Sequence, residues 1–275
     1  MDINLNQPKT IIFHPGIGKT ATSAIQTIGF NLACFSPYGV FGEAHNHLAS
    51  NHPYFSYEKF QEQWSLLLEF ALNRESSTVV SSEFLIRDNP KHIETLLIQA
   101  KEKGIAVKVI VAVRDYTDYL ISAFLQAVKV NWGIRDNEDI FMFTKREIEL
   151  IRMPLLIDKW AKHIGDKNVF LMDYDKNKNG FVDSFFKNIG VDIANIDKKE
   201  NKVNESIRLE IAPMLRQFDR LSSNKEQRPQ FIQYLNSLDY KEQHAIHVKS
   251  RIEKEVVRNT FVHDIERLSA RYTWI

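Results

Sequence analysis

The run His14-Pro15-Gly16-Ile17-Gly18-Lys19-Thr20-Ala21-Thr22-Ser23 gathers the groups that hold a phosphate. Gly16 and Gly18 let the backbone turn tightly and expose its N–H groups, Lys19 adds a full positive charge, and Thr20, Thr22 and Ser23 bring hydroxyl donors. A helix opening at the same place adds the partial positive charge of its first turn. The chemistry is anion binding, and the expectation is a cradle for the phosphate end of a nucleotide-type donor. A nucleoside-triphosphate loop of the usual kind has glycine five residues before its Gly-Lys-Thr. Phe13 stands at that position, so Gly18-Lys19-Thr20 matches only the tail of the motif and a kinase or NTPase is the weaker reading.

Other groups suited to chemistry follow. Arg114-Asp115 comes directly after an apolar run; its guanidinium can fork two donors onto phosphate oxygens, and Ser122, two helical turns into the next helix, can face the same way. Glu83, in Ser81-Ser82-Glu83, follows another apolar run and is the preferred general base. His45 and His47, in Glu43-Ala44-His45-Asn46-His47, are the alternative bases or acceptor-binding groups. His14 is expected to shape the loop without moving a proton. Cys34, the single cysteine, excludes an internal disulfide and a cysteine-rich zinc site, fits a reducing compartment, and reads as a small apolar residue on the first helix.

The elements that must position these groups are legible as short apolar runs between longer helical patterns. Strands are predicted at Thr10–Phe13, Thr78–Ser81, Ala106–Val113 and Asn168–Tyr174. Helices are predicted over Thr20–Ala33, Tyr57–Asn73, Pro90–Lys103 and Asp115–Lys129, with a long helical stretch within Asn137–Ile164. Apolar strands alternating with helices imply an α/β fold with a parallel sheet covered on both faces, and ligands at the carboxyl ends of its strands. That rule puts the loop after Phe13, Ser82-Glu83 and Arg114 on one edge. Gly39–Tyr54, rich in His, Asn and Gly, reads as a loop over the same edge. Beyond Gly190 strand signals cease, so the region from about 191 is predicted to be helical cover, with a turn around Ser222–Pro229.

The whole chain bounds these readings. Its 275 residues, 44% hydrophobic and 26% charged, suit one globular domain over 1–275. A net charge of +1 argues against non-specific nucleic-acid binding, so any anion site is local. The amino terminus lacks a signal-peptide pattern and no apolar run reaches the ~18 residues of a membrane span, which predicts a cytoplasmic protein.

Taken together, the loop resembles that of sulfotransferases that use 3′-phosphoadenosine 5′-phosphosulfate, especially bacterial and carbohydrate-type members of the phosphate-loop fold. Their loop often reads His-x-Gly-x-x-Lys-Thr-Gly-Thr-Thr, then a small residue, an apolar residue and Gln. Here His14, Gly16, Lys19, Thr20, Thr22, Ser23 and Gln26 match, and Ala21 replaces the family's usual glycine. Arg114-Asp115 with Ser122 resembles the element that binds the donor's 3′-phosphate, with Tyr116 in place of a proline. Looser similarities at Leu156–Ala161, Tyr174-Asp175, Phe185–Val191 and Asn204-Glu205-Ser206 extend it over about residues 10–210. The resemblance implies a metal-free sulfuryl transfer leaving adenosine 3′,5′-bisphosphate. Lys19 would stabilise the leaving oxygen, Gly16, Gly18, Thr20, Ala21, Thr22 and Ser23 would line the 5′-phosphate, and Glu83 would serve as base toward a small-molecule or glycan acceptor. Two other readings stand beside it: a phosphotransferase or NTPase of the same fold, and a nucleotide-binding or scaffold protein whose donor site has decayed.

Overall fold

A computed structural model of the chain describes residues 7–29, 48–49, 57–194, 196, 207–222, 224–239 and 243–275. The chain divides into two compact units. Met1–Arg114, Met153–Lys198 and Glu266–Ile275 make the first, and Asp115–Arg152 with Lys199–Ile265 the second. In chain order the helices are α1 Thr22–Gly29, α2 Tyr57–Leu72 and α3 Pro90–Glu102 in the first unit, then α4 Tyr116–Val130 and α5 Ile140–Glu147 in the second. Next come α6 Met153–Ile164 and α7 Phe181–Asn188 in the first, α8 Ala212–Leu221, α9 Arg228–Ser237 and α10 Gln243–Ile252 in the second, and α11 Arg258–Arg271, which begins in the second and ends in the first.

The first unit is built on a five-stranded, all-parallel sheet: β1 Thr10–His14, β2 Thr78–Ser81, β3 Ala106–Val113, β4 Val169–Asp173 and β5 Thr273–Trp274, in the order β2-β1-β3-β4-β5. Period-2 alternation sorts its side chains. Ile12, Ile110, Ala112, Phe170 and Met172 pack in one core with Ile25 of α1 and Phe181, Phe185 and Phe186 of α7. Phe13 takes the opposite face, with ring centroids 6.0 Å from Trp64 and 5.2 Å from Trp160. The residue that breaks the triphosphate motif is therefore a core side chain. β1 has β2 on one side and β3 on the other, so the chain's connections diverge there, which is where ligands bind in sheets of this kind, outside the carboxyl ends of the strands.

Three sequence expectations need correction. The first helix starts at Thr22, not Thr20, because Gly18, Lys19 and Ala21 have φ of 72°, 55° and 60° and cannot continue a right-handed helix. The stretch within Asn137–Ile164 is two helices, α5 and α6, separated by a 3-10 turn at Ile148–Leu150; Pro154, in the first turn of α6, cannot accept a helix running into it from behind. Strands do not cease at Gly190, since β5 closes the far edge beside β4. Two residues leave no readable alternation. Side chains around β5 secure it instead: Arg271 forks onto Asp166 at 2.7 and 2.8 Å, and the Tyr272 hydroxyl donates to Asp158 at 2.7 Å.

In the second unit Asp115 is the cap of α4, its carboxylate accepting the Asp118 N–H at 3.0 Å, and Asn131 ends the helix in the left-handed region at φ 51°. Tyr116 is fully buried and donates its hydroxyl to Asp264 at 2.9 Å. Arg152 forks onto the same carboxylate with two bonds of 2.7 Å. Tyr116 thus anchors this unit's core. The expected turn near Ser222–Pro229 falls between α8 and α9.

Candidate functional site

Two strand ends are locked together before the loop after β1 begins. His14, the last residue of β1, stands opposite Ser81, the last of β2, and its Nδ1 lies 2.9 Å from the Ser81 hydroxyl. The His14 carbonyl accepts the N–H of Gly16 at 3.0 Å and that of Ser82 at 3.1 Å. From α1, Gln26 donates Nε2 to the Ser81 carbonyl at 2.7 Å. The loop after β1 and the turn carrying Glu83 are therefore registered to each other by buried hydrogen bonds. Complete burial pushes the His14 imidazole down to about 4, so at neutral pH it is an uncharged brace.

The loop's shape follows from its small residues. A Cβ on Gly16 would overlap the Thr22 hydroxyl, well inside the 3.0 Å that real contacts keep, so any larger residue there must displace Thr22. Gly18, Lys19 and Ala21 all sit at positive φ, and Ala21 adopts the conformation that a glycine would take at lower cost. The Thr20 and Thr22 hydroxyls are buried at the bottom of the loop, with no hydrogen-bond partner among the described residues. Leaving a buried hydroxyl unpaired costs roughly 1–3 kcal/mol, which a ligand oxygen would recover. Ser23 is exposed on the first turn of α1.

Glu83 and Arg114 meet the loop from either side. A Cβ on Gly18 would lie 3.4 Å from Glu83 Oε2, placing the carboxylate in contact range of the loop backbone. Glu83 faces water yet is crowded by protein atoms. That desolvation raises its affinity for a proton above the ordinary 4.5, against the opposing charges of Lys19 and Arg87. Arg114 donates Nη1 to the Lys19 carbonyl at 2.7 Å, lies 3.9 Å from Asp175, and covers the Tyr174 ring at 5.3 Å. Its Nε is buried without a hydrogen-bond partner among the described residues. The guanidinium that follows β3 is thus bonded to the loop that follows β1.

Gly16, Gly18, Lys19, Thr20, Ala21, Thr22, Glu83 and Arg114 are brought together in the first unit. Ser122 lies half-buried on α4 in the second. His45, His47, Cys34 and Asn204-Glu205-Ser206 fall outside the described residues. Sequence reasoning gave no role to Arg87, or to Lys159, whose Nζ donates to the Asp88 carbonyl at 2.9 Å and so fastens the far end of the Glu83 turn to α6. Burial pulls the Lys159 amine down to about 8. Nothing in the spacing of Asp158-Lys159-Trp160 marks that contact, which depends on how α6 packs against the turn.

No protein-family model matches this chain, and no curated protein is significantly similar to it.

Proposed function

We propose that the protein is a sulfotransferase, moving a sulfuryl group from 3′-phosphoadenosine 5′-phosphosulfate to a hydroxyl or amine of a carbohydrate or small-molecule acceptor. The observation that carries this reading is the pair of buried hydroxyls of Thr20 and Thr22, without hydrogen-bond partners among the described residues, on either side of Ala21 in a loop where a Cβ at Gly16 would overlap the Thr22 hydroxyl. Those groups fit a phosphate. When bound, the donor supplies an activated sulfuryl group on a phosphate leaving group.

The chain's own residues supply the rest. Thr20 and Thr22 hold the 5′-phosphate by donating their hydroxyls, with Gly16 and Gly18 keeping the backbone close and Ser23 at the mouth. Lys19 meets negative charge on the leaving oxygen. Glu83, in contact range of Gly18 and ready to hold a proton more firmly than an ordinary carboxylate, takes the acceptor's proton. Arg114, bonded through Nη1 to the Lys19 carbonyl and with an Nε that makes no hydrogen bond among the described residues, is the group for the donor's second phosphate. Packing of Phe13 between Trp64 and Trp160 favours this reading over a kinase or NTPase, whose loop opens with glycine there.

The test is transfer of labelled sulfate from the donor to a panel of saccharide and small hydroxyl acceptors. Lys19→Ala should abolish it, and Glu83→Gln should lower turnover while donor binding persists. Full turnover in Glu83→Gln would move the base elsewhere, to His45 or His47; transfer by the Lys19→Ala chain would end the proposal.

A further inference from the structure

We propose that the second unit holds a separate oxyanion-binding cleft, built by Arg135, Arg216 and Arg220. A cavity of about 480 Å³ opens between α8 and the turn that follows α4, and these three guanidinium-bearing residues line it together with Asp136 and Asp219. Arg216 and Arg220 are one helical turn apart and so share a face of α8.

Their existing bonds leave donors over. Arg216 uses Nη2 for both the Arg135 and Asp136 carbonyls, each at 2.6 Å, and Arg220 uses Nη2 for the Asp136 carbonyl. The Nε and Nη1 groups of both, and the whole Arg135 guanidinium, have no protein acceptor among the described residues. The carbonyl bonds orient the Arg216 and Arg220 guanidiniums and leave single donors on each, while Arg135 keeps its whole fork.

Charge points the same way. Of the two lining carboxylates, Asp219 is already taken by Arg228, whose Nε and Nη2 reach it at 2.6 and 3.1 Å. Glu138, the next carboxylate toward Arg135 and Arg216, is bonded by Arg146, so of the lining carboxylates Asp136 alone has no guanidinium bonded to it. The Arg216 proton affinity is lowered by burial first and by the charge of Arg220 second, against the opposing charges of Glu138, Asp136 and Asp219. An anion relieves that repulsion. The Arg135 fork, with the single Nε and Nη1 donors left on Arg216 and Arg220, matches the oxygens of a sulfate, phosphate or carboxylate group, so the ligand class is an oxyanion or a chain bearing one.

The experiment is a calorimetric titration of the full chain, carrying Lys19→Ala to silence the phosphate loop, with inorganic sulfate, inorganic phosphate and malonate at constant ionic strength. We expect one anion bound per chain, affinity about tenfold lower in Arg220→Gln, and most of it restored in Arg220→Lys. Asp136→Asn should tighten binding. A preference for malonate would assign the cleft to carboxylates, and a preference for sulfate or phosphate to their esters. Because Arg216 also ties the turn, its Gln variant is read only after an unfolding curve shows the chain intact. Affinity unchanged in both Arg220→Gln and an intact Arg216→Gln, or no binding to the Lys19→Ala chain, overturns the cleft.

Discussion

Acidification should loosen the loop between β1 and α1 through His14 before it touches the rest of the sheet. Unfolded, this imidazole takes a proton near pH 6.5; folded, it is fully buried and holds out to about 4. Between those values the unfolded chain binds more protons, so stability falls as pH drops below 6.5 and is regained above it. At about 1.4 kcal/mol per tenfold of proton affinity, the full gap is worth about 3 kcal/mol, of which about 2 kcal/mol is lost by pH 5. Urea unfolding at pH 7 and pH 5 measures this, with His14→Gln as the control. The glutamine keeps a polar partner for Ser81 but cannot titrate, so carboxylate effects common to both chains cancel. Wild type should lose about 2 kcal/mol more than the variant. Equal losses, within about 0.5 kcal/mol, would show that water reaches the His14 ring and would refute its role as a neutral brace.

Three further outcomes follow from the same geometry. Gly16→Ala should cost about 1–3 kcal/mol of stability, since the new methyl overlaps Thr22, and should weaken adenosine 3′,5′-bisphosphate at least about tenfold; unchanged melting and affinity would mean the loop has slack. Arg114→Ala should weaken the same ligand about tenfold or more by calorimetry, and near-normal affinity removes the residue from the site. Turnover should rise with pH through a value above 4.5, because the base must be ionised and burial holds its proton; Arg87→Ala, which removes one opposing charge, should move that limb to higher pH, and a shift downward contradicts the placement of Glu83.

What could be read from the chain divides along the range of the contacts involved. The loop was legible because Gly16, Gly18, Lys19, Thr20 and Thr22 are neighbours in sequence, and the apolar runs of β1 to β4 are local patterns. Edge placement of Glu83 and Arg114 followed from one topological rule, and the bond from Arg114 to the Lys19 carbonyl agrees with it. The His14–Ser81 lock, the Lys159 contact to Asp88 and the pairing of β5 with β4 join residues 67, 71 and about a hundred positions apart, and no local pattern encodes them. Ala21 and Tyr116 read as departures from a familiar pattern. One keeps a glycine-like backbone with an added methyl, and the other has become the hydrogen-bonded anchor of its own unit.

The central claim is that the loop between β1 and α1 binds the phosphate end of a sulfuryl donor. Calorimetric titration with adenosine 3′,5′-bisphosphate in a chelator, beside a titration with ATP and Mg²⁺, tests it most directly. A loop that binds the donor takes up the bisphosphate one-to-one without metal, and the binding is lost in Lys19→Ala. No binding of the bisphosphate, or binding of ATP with Mg²⁺ alone, would contradict it.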